Sequence, residues 1–388
     1  MGKSEDLEVR EVTSSSQLKT FIKFPWKVYA DNPNWVPPLI IDRKDFFNKR
    51  KNPFYRFADV RLLLAYRDGE AVGRIATCIN RSHNEFHQEK VGFFGFFECI
   101  QDYDVAHRLL KVAMIYLKKA GMEVMRGPCN FSTNHEVGLL IDAFDKPPMV
   151  MMPYNPPYYA EFFERFGLKK AKDLFAFLIT QDDVPSERIQ KVVERLRQRS
   201  GAKFRTLKMS DFDNEVQRVI KIYNEAWENN WGFVPLSEDE FVHIAKDMKM
   251  ILNPEMVLFA EIDGEMAGFA LALPDVNQVF KKLNGRLLPF GIFRLLWDLK
   301  IRKKGKINQA RILTLGIVKK FQKRGLDNVF YYDLFYNGIK NGYFAGEMSW
   351  ILEDNRMMVA AAELLGGKPY KTYRIYQTPL MTNLNSRD

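Results

Sequence analysis

The chain has 388 residues, 58 Lys and Arg against 48 Asp and Glu for a net charge of +10, and a hydrophobic share of 46%. That length and composition fit two or three globular domains and exclude a disordered chain. Three scattered cysteines (Cys78, Cys99, Cys129) argue against a disulfide framework or a zinc site and point to a reducing cytoplasm. No 18-residue apolar run and no apolar N-terminal stretch occurs, and Asp6 stands where myristoylation favours Ser or Thr, so neither a transmembrane helix nor a secretory signal is expected.

In chain order, Leu7 to Thr13 reads as a strand, and Ser14 to Gln17 caps a helix toward Val28. Residues 31–53, rich in Pro and Asn, read as irregular. Val60–Ala65 and Val72–Asn80 form a hairpin around Asp68-Gly69, which supplies the positive φ such a turn needs. A strand at 91–98 follows, then a helix capped by Asp102 or Asp104 and running to Lys119, a strand pair within 124–141, a helix Tyr158–Phe166 stopped by Gly167, and a closing strand Leu174–Ile179. After a charged helical stretch the order returns. Phe204–Leu207 is a strand and helices run to about Ile251. Val257–Ile262 and Ala267–Leu273 form a second hairpin around Asp263-Gly264. Then come strand 312–318, helix 327–341, strand 345–352, helix 357–365 and a closing strand Tyr373–Tyr376. Strand-rich first halves and alternating second halves predict α/β lobes built on a mixed sheet.

The two halves also repeat each other. Asp68-Gly69-Glu70-Ala71-Val72-Gly73 returns as Asp263-Gly264-Glu265-Met266-Ala267-Gly268, and Asn34-Trp35-Val36-Pro37 has a counterpart in Asn230-Trp231-Gly232-Phe233-Val234-Pro235. The reading is an N-terminal lobe over 1–181, a linker helix over 182–202 and a C-terminal lobe over 203–388. The offset between copies grows from 195 at Asp68/Asp263 to 221 at Asn134/Asn355, so the second copy carries an insertion, placed at 278–308.

That insertion holds most of the net charge. Between Val279 and Arg311 ten Lys and Arg face one acid, Asp298, among many apolar residues. Pro289 suits the first turn of a helix to about Lys303, with Arg294, Asp298 and Arg302 as one polar stripe. Peripheral membrane contact through 279–306, a lid over a hydrophobic channel, and a helix packed on the body with a solvated basic tail all fit this pattern. No stacking platform accompanies the charge, so nucleic acid is not expected.

Ile317-Val318-Lys319-Lys320-Phe321-Gln322-Lys323-Arg324-Gly325-Leu326-Asp327 is a strand end, a basic turn and a helix start. It resembles the coenzyme A loop of the GNAT superfamily of N-acetyltransferases, Gln/Arg-x-x-Gly-x-Gly/Ala. Gln322 and Gly325 match, and Asp327 stands where a small residue is usual. Longer strings, namely Asn32-Pro33-Asn34-Trp35-Val36-Pro37-Pro38, Gly127-Pro128-Cys129-Asn130-Phe131-Ser132-Thr133-Asn134, Tyr154-Asn155-Pro156-Pro157 and Asp354-Asn355-Arg356, resemble a bacterial family of tandem-GNAT proteins over nearly the whole chain. Some proteins similar to that family are bacterial ceramide synthases. The resemblance implies two tandem GNAT-like lobes, each a mixed sheet flanked by helices. It implies an N-acyltransferase with acyl-CoA or acetyl-CoA as co-substrate, no metal, and an amine acceptor that can be a lipid or sphingoid base. It also implies contacts to coenzyme A from Ile317, Val318, Gln322, Lys323, Arg324, Gly325, Leu326 and Asn355. The general-acid Tyr many GNAT members carry four residues before a late Gly is replaced here by Phe163 and Ala362.

Amine acylation needs a base, a polarised thioester carbonyl and a stabilised thiolate. Asn130, Ser132, Asn134 and Glu136 alternate and would share one face of a strand, with Glu136 as base, Asn134 as a catalytic partner, and Asn130 and Ser132 toward substrate; a solvated strand face is the structural alternative. In the second lobe Glu347 is the other base candidate, and Asn355 fits either a pantetheine contact or a plain helix cap. A small-amine acetyltransferase and a non-catalytic binding module remain alternatives. The expected location is cytoplasmic, at the inner face of the membrane if the insertion docks there.

Overall fold

The computed structural model describes residues 7–183, 185–228, 230–301 and 307–380, with the backbone alone at 300 and 301. Arg302, Lys303, Lys304 and Lys306 of the basic insertion lie outside the described residues. The chain forms two compact units, one from residues up to Asp173 together with those from Tyr373 on, the other Leu174–Thr372.

In the first unit, β1 (Glu8–Glu11) leads to α1 (Ser15–Lys23), opened by a capping box between Ser14 and Gln17. Then follow α2 (Pro25–Val28), α3 (Ile40–Phe46), β2 (Ala58–Arg67), β3 (Glu70–Asn80), α4 (Arg81–His87) and β4 (Val91–Cys99). Next come α5 (Tyr103–Lys119), β5 (Val124–Gly127), β6 (Leu139–Leu140), α6 (Tyr158–Phe166) and the start of β7 (Lys169–Thr180). Strands β1 to β4 pair antiparallel in sequence order, and β5 lies parallel to β4. α3 falls inside the stretch read as irregular, and α4 was not anticipated.

The second unit contains α7 (Glu187–Ser200), β8 (Lys203–Thr206), α8 (Phe212–Trp227), α9 (Glu238–Met248), β9 (Val257–Ile262) and β10 (Glu265–Pro274). It continues with α10 (Asn277–Leu283), α11 (Gly291–Leu296), β11 (Gln309–Ile317), α12 (Leu326–Lys340), β12 (Ala345–Leu352), α13 (Arg356–Leu364) and the start of β13 (Lys368–Pro379). The order is that of the first unit: β8 to β11 antiparallel, then β12 parallel to β11. Of the helix expected from Pro289 to about Lys303, Gly291–Leu296 is α-helical and Trp297–Ile301 is a π-helical turn, and Arg302 and Lys303 lie outside the described residues.

The repeated Asp-Gly-Glu-x-x-Gly string has a physical explanation in both places. Asp68 and Gly69, like Asp263 and Gly264, have positive φ and turn the hairpin. The second glycine makes room above the sheet. A Cβ on Gly73 would meet Leu109 and Val105 of α5 at 2.7 and 2.9 Å, and one on Gly268 would meet Phe330 of α12 at 3.2 Å. α5 therefore lies close on its sheet through buried Val105, Leu109, Leu110, Ala113 and Leu117, each burial contributing about 1–3 kcal/mol.

The closing strands differ from the sequence reading. Leu174–Thr180 of β7 pairs with β12 in the second unit, and Tyr373–Pro379 of β13 pairs with β5 and β6 in the first. Both segments have strand character, so pattern alone does not choose their sheet. Asp173 accepts from Arg374 at 2.8 Å and pins the entry of β13 to the first unit.

Candidate active site

β11 leaves its sheet at Ile317, and Lys319–Phe321 forms a 3-10 turn after the buried Val318. The Gln322 amide donates back to the Ile317 carbonyl at 3.2 Å, closing the loop on itself. Lys323 and Gly325 both have positive φ, and α12 then starts at Leu326. The N-cap is Gly325, with no side chain hydrogen-bonded to the first amides. Asp327, a candidate cap by sequence, sits inside the first turn instead, its carboxylate accepting from the Asn328 amide at 3.2 Å. Lys319 pairs with Glu228 and Lys320 with Glu265. Lys323 and Arg324 are exposed and make no ion pair with a described residue. Uncapped amides, a helix dipole and two cations without an ion-pair partner among the described residues, Arg324 lying over the Phe321 ring, make this loop chemically suited to a pyrophosphate.

Beside the loop, β11 and β12 pair only from Gln309/Ala345 to Ile312/Met348 and then separate. β11 is also irregular against β10, where Leu271 faces Thr314 but Ala272 faces Ile312. The result is a wedge that opens toward the loop.

At its vertex lies a buried polar cluster. Ser349 Oγ donates to Glu347 Oε1 at 2.5 Å and accepts from Arg311 Nε at 2.9 Å. The Tyr370 hydroxyl donates to Glu347 Oε2. Arg311 is in parallel register with Glu347, so both project to one face, and its Nε lies 3.7 Å from Glu347 Oε1. Glu347 is fully buried, whereas Tyr370 is only partly so. Asn355 is the N-cap of α13, its Oδ1 accepting from Met358 N at 3.2 Å.

The corresponding place in the first unit is filled. Residues 130–136 do not form the expected strand. Phe131 has a φ of 87°, and the segment closes as a loop through Asn130 N–H to the Glu136 carbonyl, 2.8 Å, and Gly138 N–H to the Pro128 carbonyl, 2.9 Å. This loop lies against β4. Cys129 N–H donates to the Phe94 carbonyl at 2.7 Å, and a Cβ on Gly95 would come within 1.9 Å of the Cys129 carbonyl. β4 bulges at Phe96, and that amide donates to Asn130 Oδ1 at 2.7 Å.

The alternating face read from sequence therefore does not exist, but two of its members still meet. Asn130 Nδ2 donates to Glu136 Oε2 at 2.7 Å, and Arg43 Nη2 donates to Oε1 at 2.5 Å. Burial pushes the Glu136 carboxyl up, but the Arg43 charge and the hydrogen bonds outweigh it and hold the group below the usual range. Ser132 Oγ, 3.0 Å from His135 Nδ1, accepts from Asn134 N at 3.2 Å, so these residues knit a turn. The helix after β4 is also closed to anions: Asp102 caps α5 by accepting from Asp104 N at 2.8 Å and is paired with Arg67 at 2.7 Å.

The sequence reading missed a second carboxylate in this unit. Glu98 accepts from the hydroxyls of Tyr29 (2.8 Å) and Tyr159 (2.9 Å) and lies 3.7 Å from Arg74. Burial raises its pKa, with Arg74 and the two hydroxyls pulling back. Its partners come from 69 residues upstream and 61 downstream, and no spacing announces them. Arg43, Arg311 and Tyr370 were likewise unmarked.

The fold is that of the GNAT N-acyltransferases, in tandem. A tandem GNAT protein from the clavulanic acid biosynthesis pathway superposes with a TM-score of 0.58 over 97% of this chain and all of that one, at 12% identity. The chain belongs to the bacterial family that holds two curated relatives. The bacterial ceramide synthase of Caulobacter vibrioides is 40% identical over 97% of this chain and 98% of its own length. Protein YghO of Escherichia coli is 35% identical over 95% of this chain and 94% of its own. No protein-family model matches the chain.

Proposed function

We propose that the protein moves an acyl group from a coenzyme A thioester to a lipid amine of the sphingoid-base type, with the second unit holding the thioester. The observation that carries this reading is the contrast between units. One has an uncapped basic loop opening into a strand wedge, and the other has both features filled by its own side chains. The 40% relative named for ceramide synthesis supports the lipid amine.

In this reading the amides of Gly325 and Leu326 and the side chains of Lys323 and Arg324 receive the phosphates, with Gln322 fixing the loop. Ile317 and Val318 line the pantetheine path at the edge of β11. The neutral amine nitrogen attacks the thioester carbonyl, the C–S bond breaks, an amide forms, and the coenzyme leaves as a thiol after gaining a proton. Glu347 is the base, reached through the Tyr370 hydroxyl, with Arg311 3.7 Å from its Oε1. Tyr370 then supplies the hydroxyl that the family pattern places elsewhere. Glu136 is less suited to the base role because Arg43 and Asn130 occupy both its oxygens.

Thermal unfolding in the presence of CoA, acetyl-CoA and palmitoyl-CoA below its micelle concentration tests the binding step. A ligand at ~100 times its dissociation constant adds about 2.7 kcal/mol of stability. Stabilisation by all three, largest for palmitoyl-CoA and lost in Lys323→Ala/Arg324→Ala, is expected; no shift with any donor overturns the reading.

A further inference from the structure

The most exposed large apolar side chains of the second unit include a group in the basic insertion. Leu288 is 63% exposed, Phe290 80%, Phe293 69% and Trp297 53%. Phe290, Phe293 and Trp297 are spaced three and four apart, so the turns around α11 carry them on one face. The opposite side holds Leu295 at 1% and Asp298 at 5% exposure. Of the expected polar stripe, Arg294 is exposed but Asp298 is tucked in, Arg302 lies outside the described residues, and the aromatics project to solvent. Every exposed charge from 281 to 299 is positive, namely Lys281, Lys282, Arg286 and Arg294. None of these four forms an ion pair with a described residue. Aromatic rings projecting from short helical turns and flanked only by cations match the interfacial zone of an anionic bilayer, where rings sit at headgroup depth and cations meet phosphate.

We infer that the face formed by Leu288, Phe290, Phe293 and Trp297 docks the protein on anionic membrane surfaces, with Lys281, Lys282, Arg286 and Arg294 contacting lipid phosphate. A second copy of the chain is a poorer occupant, because a two-fold contact would set these cations against themselves. No helix among the described residues is long and apolar enough to cross a membrane, so the contact is peripheral. The docking does not depend on the acyl-transfer reading, and the two are measured separately.

The test is co-sedimentation of the full chain with vesicles of phosphatidylglycerol and phosphatidylcholine at equal parts, and of phosphatidylcholine alone. The expected result is at least tenfold tighter binding to the anionic vesicles, weakening as salt rises. Phe290→Ser/Phe293→Ser/Trp297→Ser should lose at least tenfold in binding while keeping its melting temperature, since these side chains are mostly in water. Lys281→Glu/Lys282→Glu/Arg286→Glu/Arg294→Glu should lose the preference for anionic lipid. Equal sedimentation of wild type and the serine variant, or no binding to anionic vesicles, overturns the inference. Self-association that the serine variant abolishes, without vesicle binding, also overturns it and assigns the face to a second copy. Turnover assayed in detergent reports on acyl transfer independently.

Discussion

Two carboxylates differ by the company they keep. Glu347 shares its oxygens with two hydroxyls that can pass protons, while Glu136 is held by a guanidinium and an amide. Glu347→Gln should lower kcat by roughly 100-fold or more, the usual scale of acid–base catalysis, and leave stabilisation by CoA intact. That stabilisation also serves as the check on folding. Glu136→Gln should act on stability instead. Because the folded carboxyl is held below its unfolded value of about 4.3, its contribution is present above that pH and lost as pH falls through the folded value. Chemical unfolding of both proteins should show a gap at neutral pH that closes on acidification; a gap independent of pH would contradict the ion pair with Arg43.

At the scale of elements, the loop before α12 depends on backbone conformation as much as on charge. Gly325 has a φ of 76°, and a Cβ there would lie 2.8 Å from Leu196 of α7. Gly325→Ala should cost at least ~1–2 kcal/mol from the left-handed backbone alone, lower the melting temperature and raise KM for the donor. A variant with unchanged melting temperature and KM would mean that the turn is not required.

Elements with local chemical signals were readable from sequence. Both Asp-Gly hairpins, the Asp102 cap of α5, the Gly167 stop of α6 and the basic turn before α12 depend on neighbours a few residues away. Features made by distant chain segments were not. The alternation of Asn130, Ser132, Asn134 and Glu136 mimics a strand, but the positive φ at Phe131 and the bonds to β4 decide the loop. Tyr370 meets Glu347 only because of where β13 begins, and Glu98 meets Arg74 only through the register of β3 with β4.

At the scale of the whole molecule, the two GNAT-like units differ, and in the proposed reading only the second receives the coenzyme. In the first unit the bulge amide of Phe96 is spent on Asn130 and the helix start on Asp102. In the second, the equivalent helix start is capped by a glycine and bordered by Lys323 and Arg324. The stoichiometry of coenzyme binding follows. Titration calorimetry should give one CoA per chain, and Lys323→Ala/Arg324→Ala should weaken it by about 100-fold or more, each charge-assisted contact being worth about 1.5–3 kcal/mol. Two equal sites would contradict the filled first unit.

The most direct test is thiol release by the purified chain with palmitoyl-CoA and sphinganine in detergent, with product identified by mass. N-acylated sphinganine equimolar with released CoA is the expected result, with loss of both in Glu347→Gln. Thiol release with acetyl-CoA and small amines but none with the lipid pair would contradict the lipid reading, and no release with any donor and amine would contradict acyl transfer itself.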